Sequence, residues 1–479
     1  MTFDRRSPRL LDKMTRAPLT RRQFLGTAGL GAAVAATGPH GQTTAAPALL
    51  QEEQTLRIAF VGTQVSPTDE SVAEGFKSVV PEANVEFIPI QGTDWNEYFA
   101  KVLTMIASGT VPDLMTVATE GTQLFAGQGL AAPLDEFVQR DQAAMQEYFA
   151  DVHPSLVEAM MYEGSLYELP FDWNAANLFI NTKLLEERGH EYPAADWDKE
   201  TFYQIAKDLT KEDGGPPFGY GWVNRLWGGW MPWIFVNGGN LLTEARAPGG
   251  EWLWDSFYVD NPAAEGRGGG WRWEAPQANT PANVEALEFM VQLAQEGITP
   301  SVEAGGGGLL QGFFTSDSLG MTPAGGFWAG GLTEAGMEPG AFDVQFFPTW
   351  TSQRHQFGTA GLIMFAESEV KDLAWEYMKY YVSTSTMESV FQGNFSTPAR
   401  RSMMTAERYA PTGPEHWQVF YDTLDKHPDT APIPAPPQSN EMTTIFMKYT
   451  SLAATFEQSP QEALDNMQKD LEELFASES

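Results

Sequence analysis

The stretch KVLTMIASGTVPDLMTVA, residues 101–118, contains the signals of a helix, a turn and a buried strand in succession. Its first apolar residues recur at the three- and four-residue spacing that forms one face of a helix. Asp94 can cap this helix, which we expect to end near Ser108. A Pro-Asp pair then leads into LMTVA, residues 114–118, an apolar run typical of a buried strand.

The same alternation continues upstream of this stretch. TLRIAFVGT (55–63) and VEFIPI (85–90) have the pattern of buried strands, and a helical pattern occupies 68–80 between them. Strand, helix, strand, helix, strand predicts an α/β protein with a parallel sheet. Further strand and helix patterns follow downstream, whereas residues 243–276 are rich in turn signals and are interpreted as an insertion.

Length and charge limit the classes of protein to consider. A chain of 479 residues exceeds what one hydrophobic core supports, so two or more domains are expected. The first 50 residues carry seven basic and two acidic side chains, while the remainder carries 22 basic and 61 acidic ones. Such an acidic body repels phosphate backbones, so we expect no nucleic-acid partner. The chain has no cysteine, which excludes disulfides, thiolate metal sites and a lipid-modified cysteine anchor.

Residues 1–50 have the features of an export signal and a disordered leader. Adjacent arginines at 21 and 22 precede Phe-Leu and a short run rich in glycine and alanine. A basic segment, a weakly apolar segment and small residues near Ala46 or Ala48 are typical of a signal peptide, here of the twin-arginine type. We therefore expect an exported protein, periplasmic or extracellular, that is free or associated with the membrane through a transporter.

Seven segments in order resemble one family. The first strand ends in Gly-Thr-Gln, and six longer segments follow: KVLTMIASGTVPDLMTV, GSLYELPFDWNAANLFINTKLL, WMPWIFVNGGNLL, NTPANVEALEFMVQL, GFFTSDSLGMTPAGGFW and FQGNFSTPARRS. Residues 55–479 together resemble an extracellular solute-binding protein of an ABC importer, of the class that includes maltose- and oligosaccharide-binding proteins. The chain departs from the family pattern at Ile180, where tyrosine is usual, and at Lys183, which Thr182 shifts by one place.

This resemblance implies the two-lobe periplasmic-binding-protein fold, also called the Venus flytrap, in which each lobe is a mostly parallel α/β sheet flanked by helices. Two or three hinge crossings would join the lobes, near Leu169–Phe171, near Phe357–Gly358 and after Arg401. Lobe 1 would then comprise 55–170 and 357–402, and lobe 2 would comprise 171–356 and 403–479. The ligand would lie in the cleft between them.

The segment WVNRLWGGWMPWIFVNGGN, residues 222–240, supplies aromatic candidates for that cleft. Trp227 and Trp230 lie near the predicted start of a helix, and an indole face can cover the apolar face of a sugar ring. The alternative is that all four tryptophans belong to the core, which we favour for Trp233. For Trp222 either interpretation holds.

Polar candidates follow from matching positions in the family, where strand ends must pair a sugar's hydroxyl groups. Parallel strands place such groups at one edge of a sheet. Taken singly, Glu120 or Asp172 is more often a solvated surface carboxylate. The full set of expected ligand-binding residues is Thr63, Gln64, Thr119, Glu120, Asp172, Trp173, Asn174, Trp227, Trp230, Gly326, Phe327 and Trp328.

The resulting hypothesis is a monomeric binding protein, not an enzyme, that captures a neutral carbohydrate by hinge closure and delivers it to a membrane permease. No cofactor or metal is expected. An exported glycoside hydrolase remains an alternative, since Glu120 and Asp172 could act as its paired carboxylates. A metal-binding protein is a second alternative, opposed by six scattered histidines. A binder of an anion such as a glycerol phosphate would need clustered basic residues, whereas Arg225 and Arg354 are isolated.

Overall fold

The structure, a computed structural model, describes residues 54–92, 94–212, 214–301 and 307–476. The predicted export signal lies outside these ranges. Nothing in the described ranges is a helix of the length and apolar content needed to cross a membrane.

Two main sheets organise the described chain. The first sheet has seven strands in the order β14-β6-β13-β3-β1-β2, with β15 pairing to β13, and the second has four in the order β12-β7-β11-β8. The strands are β1 (Gln54–Val61), β2 (Ala83–Ile90), β3 (Leu114–Ala118), β4 (Met161–Tyr162), β5 (Ser165–Leu166), β6 (Asp172–Ala175), β7 (Asn177–Asn181), β8 (Phe218–Tyr220), β9 (Leu242–Arg246), β10 (Trp271–Pro276), β11 (Leu319–Ala324), β12 (Phe342–Gln345), β13 (Gln356–Met364), β14 (Thr397–Pro398) and β15 (Ala431–Pro432).

Helices surround both sheets. They are α1 (Pro67–Phe76), α2 (Trp95–Ala107), α3 (Thr119–Gly127), α4 (Asp135–Arg140), α5 (Gln142–Asp151), α6 (Pro154–Ala159), α7 (Thr182–Glu187), α8 (Lys199–Leu209), α9 (Met231–Val236), α10 (Glu251–Phe257), α11 (Pro281–Gln295), α12 (Gly307–Thr315), α13 (Phe327–Glu334), α14 (Lys371–Tyr381), α15 (Thr384–Val390), α16 (Ala406–Tyr409), α17 (Val419–Lys426), α18 (Ser439–Ala454) and α19 (Pro460–Ala476). A π-helical turn (Leu226–Trp230) precedes α9, and 3-10 turns occur at Pro262–Ala264 and Arg401–Met403.

The stretch 101–118 folds as its pattern indicates. Asp94 caps α2 by accepting a 2.9 Å hydrogen bond from the Glu97 amide, and the next turn leads into β3. Asp113 holds that turn in place, because its carboxylate accepts bonds from the Arg57 amide (2.8 Å) and the Ser368 hydroxyl (2.7 Å). One buried carboxylate thus ties β1, the start of β3 and the end of β13 together.

The sheets are mixed in direction, which differs from the expectation of mostly parallel sheets. β1, β2 and β3 are parallel, but β13 runs antiparallel to both β3 and β6. In the second sheet β7 is antiparallel to β11 and β12. A strand that returns from the opposite lobe enters its sheet from the other end, so its direction is reversed.

The chain passes from one sheet to the other more than once. The chain leaves β6 of the first sheet at Ala175 and enters β7 of the second at Asn177. It returns between β12 and β13, and after β15 it continues into α18, whose core residues pack with the second sheet. The exact division of the chain between lobes 1 and 2 stays a prediction. These passages put the edges of both sheets around one cleft.

Candidate functional site

A cavity of about 450 Å³ lies where the two sheets face each other. That volume is within the range of small-molecule sites. On the first-sheet side it begins at the carboxyl ends of β1, β2 and β3, the edge at which ligands bind in open α/β sheets. The lining residues are Val61, Gly92, Asp94, Trp95, Asn96, Ala118, Glu120, Asp172, Asn174, Arg225, Leu226, Trp227, Phe327, Gly358, Thr359, Ala360, Phe395, Ser396, Ile433, Thr443 and Met447.

Glu120 projects into the cavity from the first turn of α3. The Thr119 hydroxyl donates to its Oε2 at 3.2 Å, and the Ser439 hydroxyl of α18 donates to its backbone carbonyl at 2.8 Å. Burial raises the pKa of the Glu120 carboxyl above its usual value, which hydrogen bonds and the charge of Arg225 partly offset. The carboxyl is therefore an acceptor held in a poorly solvated position.

Asp172 and Asn174 point into the cavity from alternate positions of β6. Asp172 accepts from the Ala360 amide at 3.1 Å and from the Ser396 hydroxyl at 2.8 Å. Burial raises its pKa to about 6, with a smaller contribution from the charge of Glu120. Asn174 donates to the same Ser396 hydroxyl at 3.3 Å. The loop that carries Ser396 is thus fixed against β6.

Arg225 is the basic side chain of the cavity. Among the described residues no carboxylate lies within ion-pair distance of its guanidinium, and its buried Nε has no hydrogen-bond acceptor. Its Cζ lies 5.5 Å from the ring centroid of Trp227. Burial lowers the pKa of Arg225, which the charges of Glu120 and Asp94 oppose from a distance. A buried guanidinium without an acceptor is costly, so a ligand that brings one is favoured.

Trp227 presents its indole to the cavity because the helix is interrupted at that point. Trp227 has extended dihedrals (φ −68°, ψ 126°) and Gly228 has a left-handed φ of 62° inside the π-helical turn. The ring centroid lies 5.8 Å from that of Phe327. Its Nε1 would be 2.9 Å from a Cβ at Gly358, so a glycine there makes room for the indole.

The expected site residues divide into those that line the cavity and those that do not. Contact of either group with a ligand stays a prediction. Lining the cavity are Glu120, Asp172, Asn174, Trp227 and Phe327. Outside the lining are Thr63, Gln64, Thr119, Trp173, Trp230, Gly326 and Trp328.

Several of these outside residues are structural, which corrects the expectation for them. Trp230, at the end of the π-helical turn that precedes α9, is buried, and its indole donates to Asn224 at 2.6 Å. Trp173 alternates with its neighbours on β6 and packs on Tyr421, and Trp328 packs between two phenylalanines. Thr119 is buried behind Glu120.

Three expected residues remain. Thr63 and Gln64 follow β1 and are exposed to solvent without lining the cavity, so their contact with a ligand stays a prediction. Gly326 packs against Thr397, whose Oγ1 would lie 2.0 Å from a Cβ added there. The structure therefore gives this glycine a packing role beside the cavity.

Sequence reasoning missed several cavity residues. The sequence indicates only a helix cap at Asp94, whereas in the structure Asp94 and Trp95 both line the cavity. Phe395 and Ser396 lie on a loop with no periodic pattern, next to Asn394 at φ 58°. A non-glycine residue with positive φ marks a constrained loop, but φ is not visible in a sequence. Arg225 looks isolated in the sequence, whereas in the structure it lines the cavity.

No metal centre is apparent in the part of the chain that the structure describes, since no three His, Asp or Glu side chains converge there. The buried arginine Arg400 is engaged structurally. It donates to the Val382 carbonyl at 2.9 Å and lies 3.3 Å from the carboxylates of Glu147 and Asp151.

Comparisons with known proteins identify a family. The family model of the bacterial extracellular solute-binding proteins matches residues 73–419. A Brucella abortus (strain 2308) protein named as a binding protein is 24% identical over 336 residues, covering 68% of this chain and 71% of its own length. The maltotriose-binding protein of Pyrococcus abyssi (strain GE5 / Orsay) is 23% identical over 322 residues, covering 66% of this chain and 59% of its own.

The fold also matches solved structures. The ABC substrate-binding protein of Listeria monocytogenes in complex with cycloalternan aligns with a TM-score of 0.72 at 18% identity, covering 88% of this chain and 99% of that one. The predicted two-lobe periplasmic-binding-protein fold is therefore confirmed.

Proposed function

Because this chain belongs to the family of bacterial extracellular solute-binding proteins, we propose that it captures a neutral carbohydrate, a mono- or oligosaccharide, in the cavity between its lobes. The relatives are binding proteins, which supports a role in binding and not in catalysis. Two of the similar proteins are described with maltotriose and cycloalternan, and these names support the ligand class.

One observation carries the proposal: the cavity combines aromatic faces with polar groups that no single ion would satisfy. Trp227, Phe327 and Trp95 offer apolar ring surfaces. Glu120 offers an acceptor, and Arg225 offers donors that lack an acceptor among the described residues. A hydroxyl group accepts from a guanidinium and donates to a carboxylate at the same time, and a sugar carries such groups next to apolar C–H faces.

The charge of the cavity favours a neutral ligand over an anion. Asp94, Glu120 and Asp172 line it with a single arginine. A phosphate would meet three carboxylates and one guanidinium, so its burial would be opposed. This argument separates the carbohydrate proposal from the glycerol phosphate alternative.

Capture would proceed by hinge closure. The first sheet and the helix that follows β3 contribute Asp172 and Glu120, and the segment before α9 contributes Arg225 and Trp227. A ligand favours the closed arrangement only by contacting both sides more fully there than in the open one. In this proposal the protein is exported, acts as a monomer in the periplasm or outside the cell, and delivers the sugar to the permease of an ABC importer.

A thermal-shift screen against mono- and oligosaccharides tests the ligand class. A ligand that binds only the folded protein raises the unfolding midpoint in a concentration-dependent way. We expect stabilisation by one or a few sugars and none by glycerol phosphates. The same sugar should raise the midpoint of Trp227→Ala much less.

The screen also addresses the alternative of a glycoside hydrolase. Any stabilising oligosaccharide is incubated with the protein and analysed by chromatography. We expect it to be recovered intact. Release of shorter sugars, abolished by Glu120→Gln, would replace the binding proposal by a catalytic one.

A further inference from the structure

Residues 243–276, interpreted from sequence as an insertion, form together with Leu242 a separate ribbon that we call the strap. It contains β9, α10 and β10. In the strand order of the described residues, β9 and β10 pair with each other and join neither main sheet. A ribbon of two strands bends more easily than a wide sheet, so the strap can link two bodies that move.

The paired strands β9 and β10 form the base of the strap, and residues 247–270 form its tip. The base is anchored on the second lobe. Gln468 of α19 donates to the Pro276 carbonyl at 3.0 Å and accepts from the Ala278 amide at 2.6 Å. Trp271 and Trp273 are buried in the cluster that also holds core residues of β7 and α11. The ends of the strap at Leu242 and Pro276 therefore pack with that lobe, whereas at the other end of β10 the Trp271 carbonyl accepts a 2.7 Å hydrogen bond from Gln123 of α3 in the first lobe.

The tip of the strap is anchored on the first lobe, on helices that pack beside the first sheet. The ring of Phe257 lies 4.3 Å from that of Phe149 in α5. The Tyr258 hydroxyl donates to the Val152 carbonyl at 3.0 Å. The indole of Trp252 donates to Asp135 at 3.1 Å. These contacts join α10 to α4 and α5 along its length.

Glu158 of α6 is the electrostatic centre of the tip contact. Its side chain is fully buried, and Arg246 and Arg267 of the strap approach its two oxygens at 2.7 Å each. The Gly268 amide donates to the same carboxylate at 3.0 Å. A buried carboxylate depends on such partners, so the strap cannot leave Glu158 without leaving a charge unpaired.

Glycines allow the two backbones to touch. The Gly164 amide of the β4–β5 hairpin donates to the Gly269 carbonyl at 2.9 Å. A Cβ at Gly269 would lie 2.4 Å from the Gly164 Cα, so a side chain there does not fit. The tip is thus docked by close backbone contact as well as by charge.

We propose that the strap is a tether: its tip stays docked on the first lobe, its base moves with the second, and it limits how far the lobes separate. This proposal does not depend on the ligand's identity. Hinge closure in two-lobe proteins is controlled by short connecting segments, and the strap adds a non-covalent connection to them.

The test measures the distance between the lobes directly. The chain has no cysteine, so spin labels can be placed at Ala100→Cys in α2 and Glu288→Cys in α11 without background. Pulsed electron paramagnetic resonance gives the distribution of distances between the two labels in the ligand-free protein. With Glu158→Gln we expect that distribution to broaden about twofold and to extend to longer distances.

Further variants keep the result interpretable. Replacing residues 247–270 by Asn-Gly removes the tip, and the hairpin can close because Arg246 and Trp271 are cross-strand partners. Arg272→Ala removes only an exposed strap contact to Glu163 and should broaden the distribution slightly. Lys448→Gln, which breaks a pair between α18 and α19, should not change it. Distributions identical to the parent in every variant that folds would overturn the tether.

Discussion

The tryptophan-rich segment 222–233 contains two regions with opposite environments. In the first, Arg225 and Trp227 line the cavity on an extended backbone that ends at the left-handed Gly228. In the second, Trp230 and Trp233 are buried in the core at the start of α9. The same residue type therefore serves recognition or packing according to the backbone conformation, and composition alone does not separate the two.

The largest expected effect is the loss of stability from Trp230→Ala. Removing a buried indole that is bonded to Asn224 should lower the free energy of unfolding by about 3–5 kcal/mol. Denaturant unfolding measures it. Trp227→Ala is the matched control and should cost about 1 kcal/mol or less. Equal losses in the two variants would contradict the division of the segment.

The next effect is on ligand affinity, where Trp227 is expected to matter although it contributes little to stability. Trp227→Ala should weaken binding of a sugar identified in the thermal-shift screen by about 1–3 kcal/mol, since a stacking face is lost. Calorimetry on the folded variant measures this change. An affinity within error of the parent protein would remove Trp227 from the site.

Arg225→Gln should reduce ligand affinity without reducing the stability of the ligand-free protein. We expect affinity to fall by about 1–2 kcal/mol while the ligand-free protein does not lose stability, because an unpaired buried charge is removed. Arg354→Gln is the control, since that guanidinium is paired to Glu244 at 2.8 Å. It should reduce stability and leave affinity unchanged. A destabilised Arg225→Gln protein would indicate a structural role.

The last effect is the pH dependence of stability contributed by Asp172. Its pKa in the folded protein is raised to about 6, mainly by burial, so folding favours the protonated carboxyl. Its contribution to stability is therefore greatest below pH 4 and falls as the pH rises to about 6. The stability of Asp172→Asn relative to the parent should increase by about 2 kcal/mol across that window, because the pKa rises by about two units and each unit corresponds to about 1.4 kcal/mol. Denaturant unfolding at pH 4 and pH 7 measures it, and a constant difference would contradict the raised pKa.

Much of the fold follows from local sequence patterns. The helix and strand of residues 101–118 appear where their apolar spacing, the Asp94 cap and the Pro-Asp turn predict them. Strand directions after the crossings do not follow from such patterns. β13 pairs with β3 across more than 200 residues of chain, and only tertiary packing sets its orientation.

Part of the site was predictable from residues near strand ends. Glu120 lies just after β3 and Asp172 opens β6, and both line the cavity, whereas Thr63 and Gln64 follow β1 without lining it. Trp230 is predicted near the start of a helix that faces the cleft, whereas the chain first makes a π-helical turn with a left-handed glycine and buries Trp230. A shift in helix phase of one or two residues moves an indole from the cavity to the core.

The discontinuous first sheet has a consequence for how the chain assembles during synthesis. All four strands of the second sheet lie between Asn177 and Gln345, whereas the first sheet begins at Gln54 and takes its final strand at Pro432. The second sheet can therefore form on the ribosome before β13, the pairing partner of β3 in the first sheet, has been synthesised in full. The amino-terminal portion of the nascent polypeptide would be the last to mature, and chaperones would have most of its apolar surface to protect until then.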